Sequence, residues 1–521
     1  MSTTDRIARI ERGDALDAPR GSRTPASRAA AALAVGAIGV VLLTLLVSSR
    51  IGGLGLVGLL VPAVLAAAAI TATAPVDRAF GLVCFFVAAL PIGAFEVGPL
   101  QVVQLFAVLA AGGVFAIETA RGDYAPVPWP IGLPLTAMVV SAALSTYVSP
   151  APDVTFRLDI ALVVSLLLIA ASHSVISSPA RLRTVARILV AAAAFIGATS
   201  IGGAGQAEVS NAGAVVTGRA IGIFAQPNEL GIFCALLLPI AAALALSEPS
   251  RRGRLLATAG AAAIFAGLAV SLSRGAWTGA VVGMLAFWMF LPDRRRFLVP
   301  VASATAGALA LLVILSRVPI IGIINQRLLS LVDGTSNPYD ERPAIYAEAR
   351  RQISVSPWIG NGPGAYPTVA TQLSQDGYYL QAEHAHNLFL NTWAEYGLIG
   401  LACLIALMVG LASRLLPASR AVRDRIGDDV DALMVSRMIA GTTAGLVAVL
   451  AHGVVDYPLR NPITSTTLWF VVGLAAASAR VAGGFARRRA TAGARVAATE
   501  PRASEASETP EAYARSREAT R

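Results

Sequence analysis

Residues His384–Ser413 read HAHNLFLNTWAEYGLIGLACLIALMVGLAS. A polar loop carrying two histidines gives way to an apolar run over 387–413, longer than the roughly 20 residues that cross a hydrocarbon core. Within it Asn387, Asn391 and Glu395 recur every four residues, so they form one polar stripe on a helix. A span of this length predicts an integral membrane protein, and the histidines put titratable groups at one membrane boundary. Imidazole takes and returns a proton near neutral pH. The plain alternative is a span whose two histidines merely snorkel at its mouth.

The rest of the chain agrees with a membrane setting. Of 521 residues, 55% are hydrophobic and 14% charged, with a mean hydropathy of +0.67; a soluble domain carries about 25% charged residues. Cys84, Cys234 and Cys403 lie in separate apolar runs and suggest neither a disulfide framework nor a metal site. All 41 basic residues are arginine. The net charge of +10 follows membrane topology, so no nucleic acid partner is expected. The first 28 residues are polar and the apolar run after them is too long for a signal h-region, which predicts a retained signal anchor. The expected fold is an all-α polytopic bundle of about 14 (12–14) transmembrane helices. The candidate runs are 29–49, 51–73, 79–95, 97–117, 130–149, 159–178, 186–203, 221–247, 255–272, 276–292, 297–316, 387–413, 438–455 and 463–480. A cytoplasmic tail precedes residue 29, the membrane domain covers 29–480, and the charged stretch 481–521 is expected to be a disordered cytoplasmic tail.

Arginine placement orients the stack, because cytoplasmic loops carry the excess of basic residues. With the N-terminus inside, the short inner loops hold Arg78, Arg121, Arg181, Arg183, Arg187, Arg251, Arg252, Arg254, Arg294, Arg295, Arg296, Arg414, Arg420, Arg423, Arg425 and Arg437. The short outer loops hold only Arg50, Arg157, Arg219, Arg274 and Arg460. Both termini are therefore expected in the cytoplasm, with one large extracytoplasmic loop over 317–386. In that loop 340–354 predicts an amphipathic helix, Ser356-Pro357 ends it, and Trp358-Ile-Gly-Asn-Gly-Pro-Gly364 predicts a glycine-rich turn.

Arg219 and Arg274 fall on the same side as His386. An arginine inside a span costs about 2.5–3.5 kcal/mol on insertion scales, so it faces a polar cavity or a partner unless it snorkels outward. Arg219 precedes Gln226-Pro227-Asn228-Glu229, which puts polar groups and a helix breaker early in a span. A guanidinium grips phosphate bidentately and stays charged, so two of them would suit a pyrophosphate. His452 and Asp456 are spaced for an i,i+4 hydrogen-bonded pair inside the bundle, with a catalytic role as the alternative.

The spacing His-Asn-x9-Gly-x-x-Gly, met by His386, Asn387, Gly397 and Gly400, resembles the signature of the bacterial O-antigen ligase and polymerase family. Arg219 ahead of a Gly-x-Phe…Pro-Asn run, Arg274 in Ser-Arg-Gly-Ala, and Arg342 followed by Pro357-Trp-Ile-Gly-Asn-Gly are similar to it too. So is His452-Gly-Val-Val-Asp-Tyr-Pro-Leu-Arg460, and the resemblance covers about 200–475. It implies extracytoplasmic glycosyl transfer from a polyprenyl-diphosphate-linked glycan to a hydroxyl-bearing acceptor. The partners are that donor, the acceptor, the lipid bilayer and other glycan-assembly enzymes. His386 would act as general base with His384 orienting it or sharing the role; Arg219 and Arg274 would bind the diphosphate. Asn387, Arg342 and Trp358 join the substrate-binding set, and Tyr366, Tyr378 and Tyr379 offer flat faces for sugars or simply pack the loop. No cofactor is expected. No metal site is expected either, because Asp333, Asp340, Glu341, Asp376 and Glu383 are scattered and form no clear ligand set with a histidine. A polymerase, a ligase onto lipid and a ligase onto protein all fit. A flippase or other transporter shares the hydropathy, but should place its polar residues at the midplane in two related halves.

Overall fold

The computed structural model describes residues 77–97, 100–203, 208–209, 215–216, 218–297, 314, 319–329, 342–370, 373–375, 378–380, 382–423 and 429–499. The helices are α1 Arg78–Ala88, α2 Val102–Arg121, α3 Trp129–Val148, α4 Pro152–Val175, α5 Pro179–Ser200, α6 Pro227–Ser247 and α7 Arg251–Val270. They continue as α8 Arg274–Phe290, α9 Pro319–Leu329, α10 Arg342–Val355, α11 Tyr366–Val369, α12 Leu388–Arg423, α13 Val430–Gly453 and α14 Pro462–Thr499. Three antiparallel ladders of two or three residues per strand sit between helices and carry none of the architecture. The protein is a polytopic all-α membrane protein.

Among the described residues nine helices are long and apolar enough to cross a membrane: α2 to α7 and α12 to α14. Of the other expected spans, 276–292 becomes the 17-residue α8. The run 79–95 becomes the 11-residue α1 followed by a 3-10 turn at Leu90–Ile92. The runs 29–49, 51–73 and almost all of 297–316 lie outside the described residues. The last helix continues through Thr499, well past residue 480 where the charged tail was expected to begin.

The core is built on α6 and α13, which pack against each other and share α8 as a neighbour. Small residues let the backbones close up, as they do wherever helices meet in lipid. Gly279 and Gly283 of α8 face Ala448 and Ala444 of α13, while Gly441 and Gly445 of α13 face the Leu236–Ile240 stretch of α6. This packing fixes the ends of α6, α8 and α13 relative to one another at one face of the bundle. The opposite face carries arginine pairs: Arg187–Glu248 at 2.6 Å, Arg437–Asp293 at 2.5 Å and Arg183–Asp431 at 2.9 Å.

The helix expected through 387–413 exists but is interrupted. Gly397 sits at φ 68°, ψ −175°, a region open essentially to glycine alone. The backbone groups freed there are taken up by the glycine-rich turn after α10. Asn361 N–H donates to Ala394 O (3.0 Å), Gly362 N–H to Glu395 O (2.9 Å), and Leu398 N–H to Pro357 O (2.8 Å). A Cβ on Gly397 would overlap the Trp358 carbonyl, so close approach and unusual φ both require glycine here. The turn also docks on the other side, where Ser145 donates to Ile359 O and Gly362 lies against Ser149 and Thr155. The polar stripe therefore faces this loop rather than water: Asn391 and Glu395 are buried.

Above the turn, α10 is described from residue 342 and ends one residue later than the expected 340–354 helix, whose first two residues lie outside the described residues. Its Ile345 and Ala349 form a small apolar cluster with Tyr366, Ala382, Ala385 and Ala394. Tyr366 is fully buried and donates to Ile345 O at 3.2 Å. This cluster seats the histidine loop on the first turns of α12.

Candidate active site

Asn387 starts α12. Its Oδ1 accepts from the N–H groups of Phe389 and Leu390, both at 2.9 Å, which satisfies two of the free donors of the first turn. Its Nδ2 donates to Val454 O at 2.8 Å and so ties the start of α12 to the end of α13. Asn391 accepts from Ala385 N–H at 2.9 Å, and Tyr346 Oη donates to His386 O at 3.4 Å. Between these anchors His386 takes φ 45°, a left-handed conformation that costs an L-residue about 1–2 kcal/mol. The loop is thus held in a shape that presents His384 and His386 side by side, with ring centroids 4.1 Å apart.

Both rings meet one carboxylate. Asp456 lies three residues past α13; its Oδ1 is 3.1 Å from His386 Nδ1 and 3.4 Å from His384 Nε2. Its Oδ2 accepts from Asn228 Nδ2 at 2.8 Å and stands 3.7 Å from His452 Nε2. Asn228 Oδ1 in turn accepts from Arg219 Nη2 at 2.7 Å, and Arg219 Nε donates to Ser271 O at 3.1 Å. Residues from four separated segments are thereby strung into one network: Arg219, Asn228, Asp456, then His384, His386 and His452. The expected His452–Asp456 pairing is present as a contact within a larger cluster, not as an isolated hydrogen bond.

The electrostatics follow from this geometry. Burial alone would raise the Asp456 carboxyl, but hydrogen bonds from His384 and His386 and the charge of His452 outweigh it and hold it well below the usual carboxylate range. His384 is pushed down by burial, against the pull of Asp456. His386 is more open, with its side chain 30% exposed. With Nδ1–H donated to Asp456, its Nε2 is left as a lone pair that makes no hydrogen bond among the described residues. That is the arrangement of a base oriented from behind by an acid.

The other expected site residues fall at different distances. Arg274 opens α8, is half-buried, and its guanidinium forms no hydrogen bond or ion pair among the described residues. Its neighbour Gly275 abuts the His452 ring. Arg342 is half-buried at the start of α10, close enough for its charge to act at His452. The Trp358 ring is 65% exposed, and what Trp358 contributes to the fold is its carbonyl, at the Gly397 break. Asn387 works as a helix cap. A small open cleft lies at the centre, its wall including Gln226, Asn228, Glu229, His384, Asp456 and Arg460.

His384, His386 and Asp456 also meet the spacing of a metal site, with their ligand atoms all within 4.8 Å of one another. The sequence reading found no such set because its third member comes from a segment 70 residues further on. For the same reason Asn228 was not singled out, and Asp456 was weighed only together with His452, as a local pair or a catalytic alternative. Both stand in motifs already visible, Gln226-Pro227-Asn228-Glu229 and His452-x-x-x-Asp456, but nothing in either says what it will face.

Comparison with known proteins bears on this geometry. A family model described as O-antigen ligase matches residues 259–405. These residues take in Arg274, Arg342, both loop histidines and the Gly397 break. An exopolysaccharide production protein, ExoQ, from Rhizobium meliloti is 26% identical over 341 residues, covering 61% of this chain and 72% of that protein. Over residues 259–405 the chain is similar to the O-antigen ligase family. Within that family's matched segment lie Arg274 and the two loop histidines, whereas Arg219, Asn228 and Asp456 lie outside it and reach the centre through the fold.

Proposed function

We propose that the protein transfers a glycan from a polyprenyl diphosphate to an acceptor hydroxyl, at the extracytoplasmic face of the bacterial cytoplasmic membrane. One observation carries the reading: Asp456 holds Nδ1 of His386 and leaves Nε2 free. The acceptor O–H gives its proton to His386 Nε2 while its oxygen attacks the anomeric carbon. The bond from that carbon to the diphosphate oxygen breaks, its electron pair leaves with the diphosphate, and the configuration inverts. The diphosphate is a good leaving group, so the protein needs a base and a counter-charge. Arg274, half-buried and uncommitted at the start of α8, and Arg219, behind Asn228, supply that charge. His384 shares Asp456 and keeps the carboxylate ionised. Arg342 adds positive charge near His452, and the exposed Trp358 ring offers a face to the substrate where the loop meets lipid.

The sidedness is supported by the arginine pairs at the face opposite the site, which fit a cytoplasmic surface under the positive-inside rule; on this reading both termini are inside. A fusion within 336–377 to a reporter active only outside the cytoplasm should be active; cytoplasmic activity there would sink this orientation. The relative named for exopolysaccharide production favours extension of a polymer over transfer to a lipid core or a protein. Two arginines bring the positive charge a divalent ion would bring, so transfer is expected to survive excess chelator. Purified protein should turn over a polyprenyl-diphosphate-linked glycan in vesicles. Loss of activity in chelator with return on Mg²⁺ or Mn²⁺ would instead assign the His384, His386 and Asp456 set to a metal. A carrier that moves the same lipid without new glycosidic bonds would overturn the reading.

A further inference from the structure

The arginines at the face opposite the histidine site fall into two sets. Arg183, Arg187 and Arg437 are each held by a carboxylate. Arg294, Arg295, Arg296, Arg420 and Arg423 are exposed and meet no carboxylate among the described residues. This second set gathers where α8 ends. Arg294 donates to Met289 O at 3.2 Å and Arg423 to Phe290 O at 3.1 Å, so guanidiniums from two separated segments cap consecutive carbonyls of the last turn. Arg295 and Arg296 follow in the short 3-10 turn after α8, and Arg420 stands one turn before Arg423 on α12. Arg437 joins them through Asp293, at 2.5 Å. Six guanidiniums thus surround a single carboxylate. The surface leading up to them is apolar. Leu285, Trp288 and Met289 recur on one face of α8 and are 56%, 37% and 62% exposed. The Arg294 guanidinium lies over the Trp288 ring, 5.9 Å from its centroid.

We propose that this end of α8 binds an anionic phospholipid of the leaflet opposite the histidine site. Its phosphate sits between Arg294 and Arg423, and an acyl chain runs along Leu285, Trp288 and Met289. Capping occupies one donor of each of the two guanidiniums, and the remaining N–H groups suit phosphate oxygens. Arg295, Arg296 and Arg420 add positive charge that no carboxylate offsets, which favours an anionic headgroup over a zwitterionic one. Trp288 marks the level of the headgroups, where tryptophan collects in membrane proteins, so a phosphate at Arg294 brings its chains down onto the apolar stripe. A free anion would use the charge and leave that stripe uncovered, whereas a lipid covers both. The site is independent of glycan transfer at the other face.

Full-length protein in detergent tests this by titration with dioleoyl phosphatidylglycerol and, separately, dioleoyl phosphatidylcholine, with bound lipid counted by native mass spectrometry. Wild-type protein should retain the anionic lipid in preference to the zwitterionic one. Arg294→Gln with Arg423→Gln should weaken the anionic lipid by about fivefold per arginine removed and leave the zwitterionic lipid unchanged. That pair also uncaps α8, so thermal unfolding is measured on the same preparation. Arg295→Gln with Arg296→Gln removes two charges without touching a hydrogen bond of the fold, and should weaken the anionic lipid too. Arg251→Gln with Arg252→Gln removes two exposed arginines at the start of α7 and should bind as wild type does. Equal retention of the two lipids by wild-type protein overturns the site. So does wild-type affinity in a folded Arg294→Gln, Arg423→Gln protein. Should that protein not fold, wild-type affinity in Arg295→Gln, Arg296→Gln overturns it instead. An equal loss in the α7 variant would mean attraction to bulk surface charge, and full displacement of the lipid by excess inorganic phosphate would mean a site for a free anion; either overturns the proposal.

Discussion

Replacing Asp456 by asparagine removes one charge from the middle of the network and changes little in shape. Asp456 Oδ1 lies 3.1 Å from His386 Nδ1, so the imidazolium formed when His386 takes a proton would sit against a carboxylate. A unit-charge pair 4 Å apart at an effective dielectric of 20 is worth about 4 kcal/mol, and 3.1 Å raises that to about 5 kcal/mol. His386 is 30% exposed, and solvent screening brings the useful part down to about 2–3 kcal/mol. At 1.4 kcal/mol per decade, turnover should fall about 100-fold, at the lower end of what general-base catalysis contributes. Asparagine can also present its amide N–H to Nδ1, which would turn the imidazole to the wrong tautomer and deepen the loss. The assay is transfer of a radiolabelled glycan from its polyprenyl diphosphate by purified protein, with thermal unfolding measured on the same preparation. Activity within fivefold of wild type at unchanged stability would refute the account of Asp456 as the group that orients and charges the base.

Gly397→Ala should lower the thermal midpoint and abolish transfer. The region at φ 68° costs a non-glycine residue about 1–3 kcal/mol, and the Trp358 carbonyl leaves no room for a Cβ; a midpoint equal to wild type would mean the turn does not hold the break. A pH effect on stability follows from His384, which burial pushes down. The unfolded chain binds a proton there below about pH 6.5 while the folded chain stays neutral, so stability is lost as pH falls below that value. Asp456 is depressed, so its share is present above the usual carboxylate pKa of about 3.9 and does not titrate in this window. His384→Gln should therefore shrink the fall in thermal midpoint between about pH 7.5 and 5, and an unchanged fall would contradict the assignment. Arg219→Lys and Arg274→Lys keep charge but lose the planar fork. Both should transfer poorly and the alanine variants worse; alanine variants as active as wild type would remove the diphosphate from these residues.

Much of the fold was legible because membrane spans are announced by length and hydropathy, and 387–413, 438–455 and 463–480 all appear as helices. What periodicity could not show is the break at Gly397. A helical pattern continues through it, and only the arrival of the 357–362 backbone makes the interruption stable. The same tertiary event reverses the meaning of the polar stripe. Spacing put Asn387, Asn391 and Glu395 on one face, but whether that face meets water or a loop depends on residues 30 positions away. His386 and His384 were recognisable from position and residue type alone. That Asp456 would meet those two histidines was not, because an aspartate four residues after a histidine reads as a partner of that histidine until α13 and α12 are brought together by the Asn387–Val454 contact. Asn387 shows the converse: for a motif residue expected to touch substrate, the fold adds a second task, the capping of α12.

The most direct measurement is glycan transfer by His386→Ala in vesicles supplied with a polyprenyl-diphosphate-linked glycan and its acceptor, scored by new glycosidic bonds. Wild-type protein should transfer, and the variant should fall by about 10²–10⁴-fold, the range of a lost general base, while still folding and binding the donor. Near-normal transfer by the variant would contradict the role of His386 as base, and would move the proton to His384, His452 or a carboxylate such as Glu383.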